Sequence, residues 1–153
     1  GGDMVYAKNK QSAAKFSKII QEGNMIKEYV TCVHGIMEDH EGILEDLLWK
    51  DSKKNKVFVV NRERKGVKKA KLAYDVLEQK EDQALIHVRL YTGRSHQIRV
   101  QFSSRKHPLV GDHKYGSKDE RKDPMLYSCK ITFPYQGKEV SFEHYPTWAD
   151  KQS

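Results

Sequence analysis

The sequence predicts an α+β domain built on a mostly antiparallel sheet. Short runs of alternating apolar and polar residues, separated by charged or glycine-containing turns, recur from residue 27 to residue 144. A helical stripe is plain in one stretch, residues 10–22, and no segment repeats another. Strands that follow one another directly, with few helices between them, are typical of this class. At 153 residues the chain is most simply a single domain, 1–153.

The amino-terminal third predicts one helix and two strands. Asn9 is a suitable N-cap for the helix over residues 10–22. Residues 27–34 (KEYVTCVH) predict a strand whose two faces are both covered, because apolar side chains occur on each. Residues 38–45 predict an acidic loop, and residues 44–49 a short strand.

The middle of the chain predicts a strand at residues 57–60 and then a hairpin. Residues 62–71 hold six basic side chains in ten positions, which a core would not accept, so we expect them in solvent or against phosphates. Residues 70–77 and 84–91 predict two strands joined by a charged turn. Two further strands are predicted at residues 125–133 and 139–144.

Directly after this hairpin comes the segment with the densest polar chemistry, residues 90–102 (LYTGRSHQIRVQF). Five polar side chains fall within six positions: Arg94, Ser95, His96, Gln97 and Arg99. Burying so many without partners is costly, which indicates a site for an anion or polar ligand. The alternative is a basic loop whose arginines only face solvent.

Two conformations fit the second half of this segment. Thr92-Gly93 breaks the preceding strand, and Ser95 is a possible N-cap for a helix in which Ile98 and Phe102 share one face. The alternation from residue 96 to residue 102 also fits a strand, and the pattern alone supports both conformations equally.

Composition restricts the class of partner. Lys and Arg number 28 against 21 Asp and Glu, and the resulting net charge of +7 favours a polyanion, most plausibly nucleic acid. No apolar run is long enough for a bilayer and none resembles an export signal, so we expect no membrane partner and a cytoplasmic location.

Cys32 and Cys129 have no metal or redox spacing, which predicts reduced core thiols. The histidines lack zinc-ligand spacing, so no metal is expected.

Three motifs carry a resemblance to a known family. LYTGRSHQIRVQF, HPLVGDHKYG and MLYSCKITFP resemble the second half of the RluA-type pseudouridine synthases, and GILEDLLWKD and GVKKAKLAYDVL resemble their upstream segments. The resemblance covers the chain from Gly1 to about Pro146. It implies a bent, mixed β-sheet with flanking helices and a basic cleft. It also implies isomerisation of uridine in structured ribosomal or transfer RNA, without metal or organic cofactor.

The resemblance also predicts an element that these 153 residues lack. Family members use one aspartate in an HRLD-type motif followed by Ser-Gly or Gly-Gly, and Gly1-Gly2 would be the tail of that motif. Asp3 does not match the aspartate, which is expected just before Gly1, so we expect the chain by itself to be inactive. The alternatives are a catalytically dead RNA-binding module of the same fold and an unrelated basic domain. The spacing of TGRSHQIR and GDHKYG argues against the unrelated domain.

The resemblance assigns two catalytic positions. Tyr29 matches the tyrosine that forms a wall for the target base, and Arg99 matches the residue that pairs with the catalytic aspartate. The structural alternatives are a packed aromatic for Tyr29 and an ion pair for Arg99, to Asp112. Gln101 stands where relatives often have histidine. The residues expected to contact RNA are Arg94, His96, Gln97, Lys8, Lys10, Lys68 and Lys69.

Overall fold

A computed structural model of the chain describes residues 26–135 and 138–143. The strands in this part are β1 (Ile26–His34), β2 (Glu41–Asp51), β3 (Lys56–Val60), β4 (Val67–Gln79), β5 (Gln83–Leu90), β6 (Leu126–Tyr135) and β7 (Lys138–Glu143). They form one sheet in the order β3-β2-β4-β5-β1-β6-β7, and each of these pairings is antiparallel. The helix α1 (Gln97–Ser103) and a 3-10 helix (His113–Tyr115) accompany it. The prediction of an α+β domain on a mostly antiparallel sheet is confirmed.

The predicted strands are present, but two of them begin three residues earlier than the sequence indicates. Strand β2 starts at Glu41, so the predicted acidic loop is wrong over residues 41–45. Those residues pair with β4 in a continuous ladder, with Leu44 opposite Leu72, while Glu41 and Glu45 point to solvent. Strand β4 likewise includes the second half of the basic segment at residues 62–71. The predicted helix at residues 10–22 lies outside the described residues.

Strand β1 lies between β5 and β6 and is covered on both faces, as predicted. On one face, Val30 packs with Leu85 and Cys129. On the other, Val33 belongs to the main core, which also contains Ile98 and Phe102 of α1. Because successive residues of a strand alternate between faces, Tyr29 points to the same side as Val33, the side that α1 covers.

The segment at residues 90–102 forms a helix in its second half, so the strand alternative is wrong. The predicted N-cap is also wrong: His96, not Ser95, precedes the helix, with a left-handed φ of 51° and no capping side chain. Ile98 and Phe102 pack on the central sheet, whereas Val100 packs in a second cluster with Leu48, Val57, Ala70 and Tyr115. The helix is covered on two sides, which is why apolar residues occur at every second position.

Both cysteines are free thiols, as predicted. Burial raises the pKa of Cys32 to about 11 and that of Cys129 to about 12, so both remain protonated near neutral pH. None of the helices described in residues 26–143 has the length and apolar character needed to cross a membrane.

Candidate active site

Arg99 and Asp112 form a two-pronged ion pair at the centre of the site. Arg99 lies on α1 and donates from Nε to Asp112 Oδ2 and from Nη2 to Asp112 Oδ1, both at 2.9 Å. The Asp112 side chain is fully buried and that of Arg99 is 21% exposed. The hydrogen bonding of Arg99 to the Asp112 carboxylate is the main reason that the pKa of Arg99 is raised. The ion pair with Asp112, which was the structural alternative predicted for Arg99, is therefore present.

This pairing leaves part of the Arg99 guanidinium unused. Asp112 takes Nε and Nη2, and within the described residues Nη1 makes no hydrogen bond. A planar guanidinium presents several donors in fixed directions, so one carboxylate can orient the group while another binds a different edge. The geometry is thus compatible with a second anion on Arg99.

A rigid turn positions Asp112. Gly111 has a φ of +86°, and a Cβ at this position would lie 2.0 Å from the Asp123 carbonyl oxygen, so only glycine fits. The Gly111 amide donates to the Asp119 carboxylate at 2.9 Å, and Asp119 also contacts His34 at 2.8 Å and the Ser117 hydroxyl. These hydrogen bonds, that from Ser117 foremost, hold the pKa of Asp119 well below its usual range.

Tyr115 joins the ion pair to His96. The centre of the Tyr115 ring is 4.9 Å from Arg99 Cζ, and its hydroxyl is 2.7 Å from His96 Nδ1. The Val57 amide donates to the same hydroxyl at 2.8 Å. The Tyr115 hydroxyl therefore links His96 to the Val57 backbone of β3, with either the phenol or the imidazole as donor in the contact between the two side chains.

The electrostatics agree with a neutral His96. Burial is the largest cause of a lowered pKa for His96, and the cations Arg99, Lys114 and Lys50 lower it further. His96 is therefore mostly uncharged at neutral pH. Burial likewise raises the pKa of Tyr115, so its phenol stays protonated.

Tyr29 is half-buried on β1, between Val88 of β5 and Ser128 of β6. It packs against the main core on the face that α1 covers, and burial raises its pKa. Tyr29 and Arg99 thus belong to the same side of the sheet. The role of Tyr29 as a wall for a base stays a prediction.

Gln97 requires a correction. It is 2% exposed, and its amide is used inside the protein. Gln97 Oε1 accepts from the Thr92 hydroxyl at 2.8 Å and from the Arg94 amide at 3.0 Å, while Nε2 donates to the Lys71 carbonyl at 3.1 Å. The side chain holds the turn after β5 and has no surface left for RNA.

The other residues expected to contact RNA have different surroundings. Arg94 donates from Nε to the Lys69 carbonyl at 2.8 Å, which fixes it across β4. Lys68 and Lys69 are exposed, and Lys69 is 3.4 Å from Glu63. Lys8 and Lys10 lie outside the described residues. Their contacts with RNA, and that of His96, stay predictions.

Sequence reasoning missed Tyr115 and Lys50. Tyr115 carries a signal, since it follows Asp112 by three positions in the GDHKYG motif, but its role depends on contacts with α1 and β3. Nothing around Lys50 in the sequence distinguishes it from the neighbouring lysines. In the described part of the chain, no three His, Cys, Asp or Glu side chains are grouped so that they could hold a metal ion.

Solved structures identify the class of fold. The chain superimposes on the human RNA Pseudouridylate Synthase Domain Containing 1 with a TM-score of 0.81 and 21% identity, covering 96% of this chain and 65% of that one. A second human protein, RNA Pseudouridylate Synthase Domain Containing 4, gives a TM-score of 0.74 at 20% identity, covering 94% of this chain and 67% of that one. The fold is therefore that of a pseudouridylate synthase domain.

The sequence identifies the family. The model of the RNA pseudouridylate synthase family matches residues 1–104, and this chain belongs to that family. It is 33% identical over 147 residues to the uncharacterized RNA pseudouridine synthase MG209 homolog of Mycoplasma pneumoniae, covering 93% of this chain and 48% of the relative. It is 31% identical over 118 residues to the ribosomal large subunit pseudouridine synthase C of Buchnera aphidicola subsp. Acyrthosiphon pisum, covering 77% of this chain and 37% of the relative. The chain thus spans less than half the length of these two relatives.

Proposed function

We propose that the protein carrying this chain converts uridine to pseudouridine in structured RNA. The observation that carries the proposal is Arg99, which Asp112 fixes by two hydrogen bonds while Nη1 is left for another acceptor. The reaction breaks the bond from C1′ to N1 of the base and joins C1′ to C5. The proton of C5 is lost and N1 gains one, so atoms balance without an external reactant.

In this proposal Arg99 holds the carboxylate of the HRLD-type motif, which no residue among these 153 matches. A carboxylate in a cleft stays ionised and positioned when a fixed cation is next to it. Arginine suits this better than lysine, because its fork is planar and permanently charged. Asp112 prevents the guanidinium from turning, so the second carboxylate would be held in one orientation.

Tyr29 would form a wall for the target base. A base inside an RNA stack cannot be reached, so it must leave the stack and enter a pocket that holds it by stacking and hydrogen bonds. Burial raises the pKa of Tyr29, which keeps its phenol neutral and suited to packing on an uncharged base. The His96 imidazole is a further hydrogen-bonding group beside the same ion pair.

The net charge of +7 supports an RNA substrate, since attraction to phosphates increases association. We propose ribosomal or transfer RNA as the substrate class, acted on in the cytoplasm. The name of the Buchnera relative, a ribosomal large subunit enzyme, favours the ribosomal alternative. A catalytically dead RNA-binding module of the same fold is the second candidate, and the net charge of +7 suits it equally well.

Tritium release separates the two candidates. RNA transcripts of the large ribosomal subunit and of tRNA, labelled at C5 of uridine, are incubated with the protein that carries the chain. Pseudouridine formation releases the C5 tritium to water, and an Arg99→Lys variant should release far less. RNA binding without tritium release from either RNA class would support the binding module instead.

A further inference from the structure

Three cationic side chains line one pocket on the sheet face that carries the active site. Lys50, Lys68 and Arg94 surround it, with Leu48 and Val57 as apolar neighbours. Strand pairing brings them together: Leu48 is opposite Lys68, and Lys50 is opposite Val57. Because side chains two apart share a face, Leu48 and Lys50 point to the same side of β2.

The charges in this pocket are not neutralised. Among residues 26–135 and 138–143, no carboxylate that the structure describes lies within 4 Å of Lys50 or Lys68. The nearby lysines of β4 do have carboxylate partners: Lys69 is 3.4 Å from Glu63, and Lys71 is 4.0 Å from Glu45. Grouped like charges repel one another, and a bound anion relieves that repulsion.

Arg94 is held in place for such a role. Its Nε donates to the Lys69 carbonyl at 2.8 Å, and its amide donates to Gln97 Oε1 at 3.0 Å. These bonds fix the backbone and one edge of the guanidinium. A side chain that is already ordered loses less conformational entropy when it binds a ligand.

The pocket adjoins the proposed active site. Val57, which lines the pocket, donates its amide to the Tyr115 hydroxyl at 2.8 Å, and Tyr115 contacts both His96 and Arg99. Ser95, the residue before His96, also lines the pocket. An RNA strand whose target base enters the site must place its flanking phosphates near this point.

We propose that the pocket binds a phosphodiester group of the RNA strand beside the target uridine, through Lys50, Lys68 and Arg94. This inference rests on the proposed function and adds Lys50, which no motif indicates, to the RNA-binding surface. A strand phosphate is favoured over a free nucleotide because the cations lie directly next to the site for the base.

The test compares two double variants that lose the same charge. The pocket variant, Lys50→Gln with Lys68→Gln, removes two cations of the pocket. The control variant, Lys80→Gln with Lys122→Gln, removes two exposed cations elsewhere. Lys80 follows β4 and lies at the far end of β5 from Arg94. Binding of a fluorescein-labelled uridine dodecamer to the protein that carries the chain is followed by fluorescence anisotropy at several salt concentrations. The pocket variant should weaken binding about tenfold and lower the salt slope by about 0.7 to 1, as expected for one lost phosphate contact. The control variant should stay within about twofold, since screened distant charges contribute little.

A neutral linkage identifies the ligand as a strand phosphate. Methylphosphonate is introduced at one linkage at a time, next to the uridine in the loop of an RNA hairpin. For the wild-type protein, methylphosphonate at one particular linkage should lower the affinity for the hairpin. For the pocket variant, methylphosphonate at that linkage should leave the affinity unchanged. Equal behaviour of the pocket and control variants, with wild type binding RNA, would overturn the pocket alone. Absence of RNA binding and of tritium release by the wild-type protein would overturn the proposed function, and the pocket with it.

Discussion

Asp112 holds Arg99 by two hydrogen bonds of 2.9 Å, and its own carboxylate is completely buried. A buried carboxylate is tolerated when a cation and hydrogen bonds satisfy it, and the Arg99 fork does both. The pair therefore serves the fold and the proposed chemistry together: it joins α1 to the GDHKYG turn, and it orients the guanidinium.

Asp112→Asn should destabilise the domain strongly. The amide cannot accept from both Arg99 nitrogens, and it leaves a largely buried cation unpaired, which costs about 3 kcal/mol. Urea unfolding followed by circular dichroism measures the change. Asp39→Asn, at an exposed position, is the control and should change the free energy of unfolding by less than about 0.5 kcal/mol. Equal stabilities of the two variants would contradict a structural role for the pair.

In the protein that carries the chain, Arg99→Lys should lose most catalytic rate while RNA affinity changes little. Net charge is preserved, so long-range attraction survives, but an ammonium cannot reproduce the two-pronged contact, and a placement error of about 1 Å can reduce the rate about 100-fold. Single-turnover tritium release measures the rate, and filter binding the affinity. Arg94→Lys is the comparison: it keeps a cation beside the proposed phosphate, so it should keep most of its rate. Equal rate losses in both variants, or weaker binding without a loss of rate in Arg99→Lys, would show that the roles are misassigned.

By itself, the 153-residue chain should bind RNA in a salt-dependent way and form no pseudouridine. The basic charge supplies the binding, and the catalytic aspartate of the family pattern has no match in the chain. Tritium release and filter binding at several salt concentrations measure the two properties. Turnover by this chain would mean that an aspartate among its own residues performs the reaction.

Alanine substitutions at three glycines should form a graded series. A Cβ added at Gly93 would meet no atom within 4 Å. At Gly116 it would also meet none, but the backbone φ is +113°. At Gly111 φ is +86°, and the added Cβ would lie 2.0 Å from the Asp123 carbonyl oxygen. We expect losses of less than about 0.5 kcal/mol at Gly93, about 2 at Gly116 and about 3 or more at Gly111. Urea unfolding measures all three, and a Gly111→Ala variant as stable as Gly93→Ala would rule out the close approach.

His96 should titrate below pH 6.5. Burial, then the neighbouring cations, favour its neutral form in the folded state, so the folded pKa lies below the unfolded value of about 6.5. The part of the folding stability that depends on a neutral His96 is fully present above pH 6.5. It is lost as the pH falls through the pKa of His96 in the folded state. NMR titration of the His96 ring measures the midpoint. Between pH 7 and pH 5, wild type should lose more stability than His96→Gln, and a midpoint at or above 6.5 would contradict the arrangement.

The sequence by itself determined the approximate positions of the strands along the chain, and it indicated the pairing of Arg99 with Asp112 as a possibility. Strands such as β1 and β5 are readable because each side chain alternates between two faces, and a local pattern records which faces are buried. The family was also readable, because TGRSHQIR and HPLVGDHKYG are local motifs with fixed spacing.

The tertiary structure decided what depends on distant residues. The conformation of α1 was ambiguous because Ile98, Val100 and Phe102 fit two periods, and two separate apolar clusters select the helix. Gln97 resembled a ligand-binding residue, yet its amide is used up by backbone and side-chain partners that the fold brings near. Lys50 joins Lys68 and Arg94 only through strand pairing, which sets neighbours by register and not by distance along the chain.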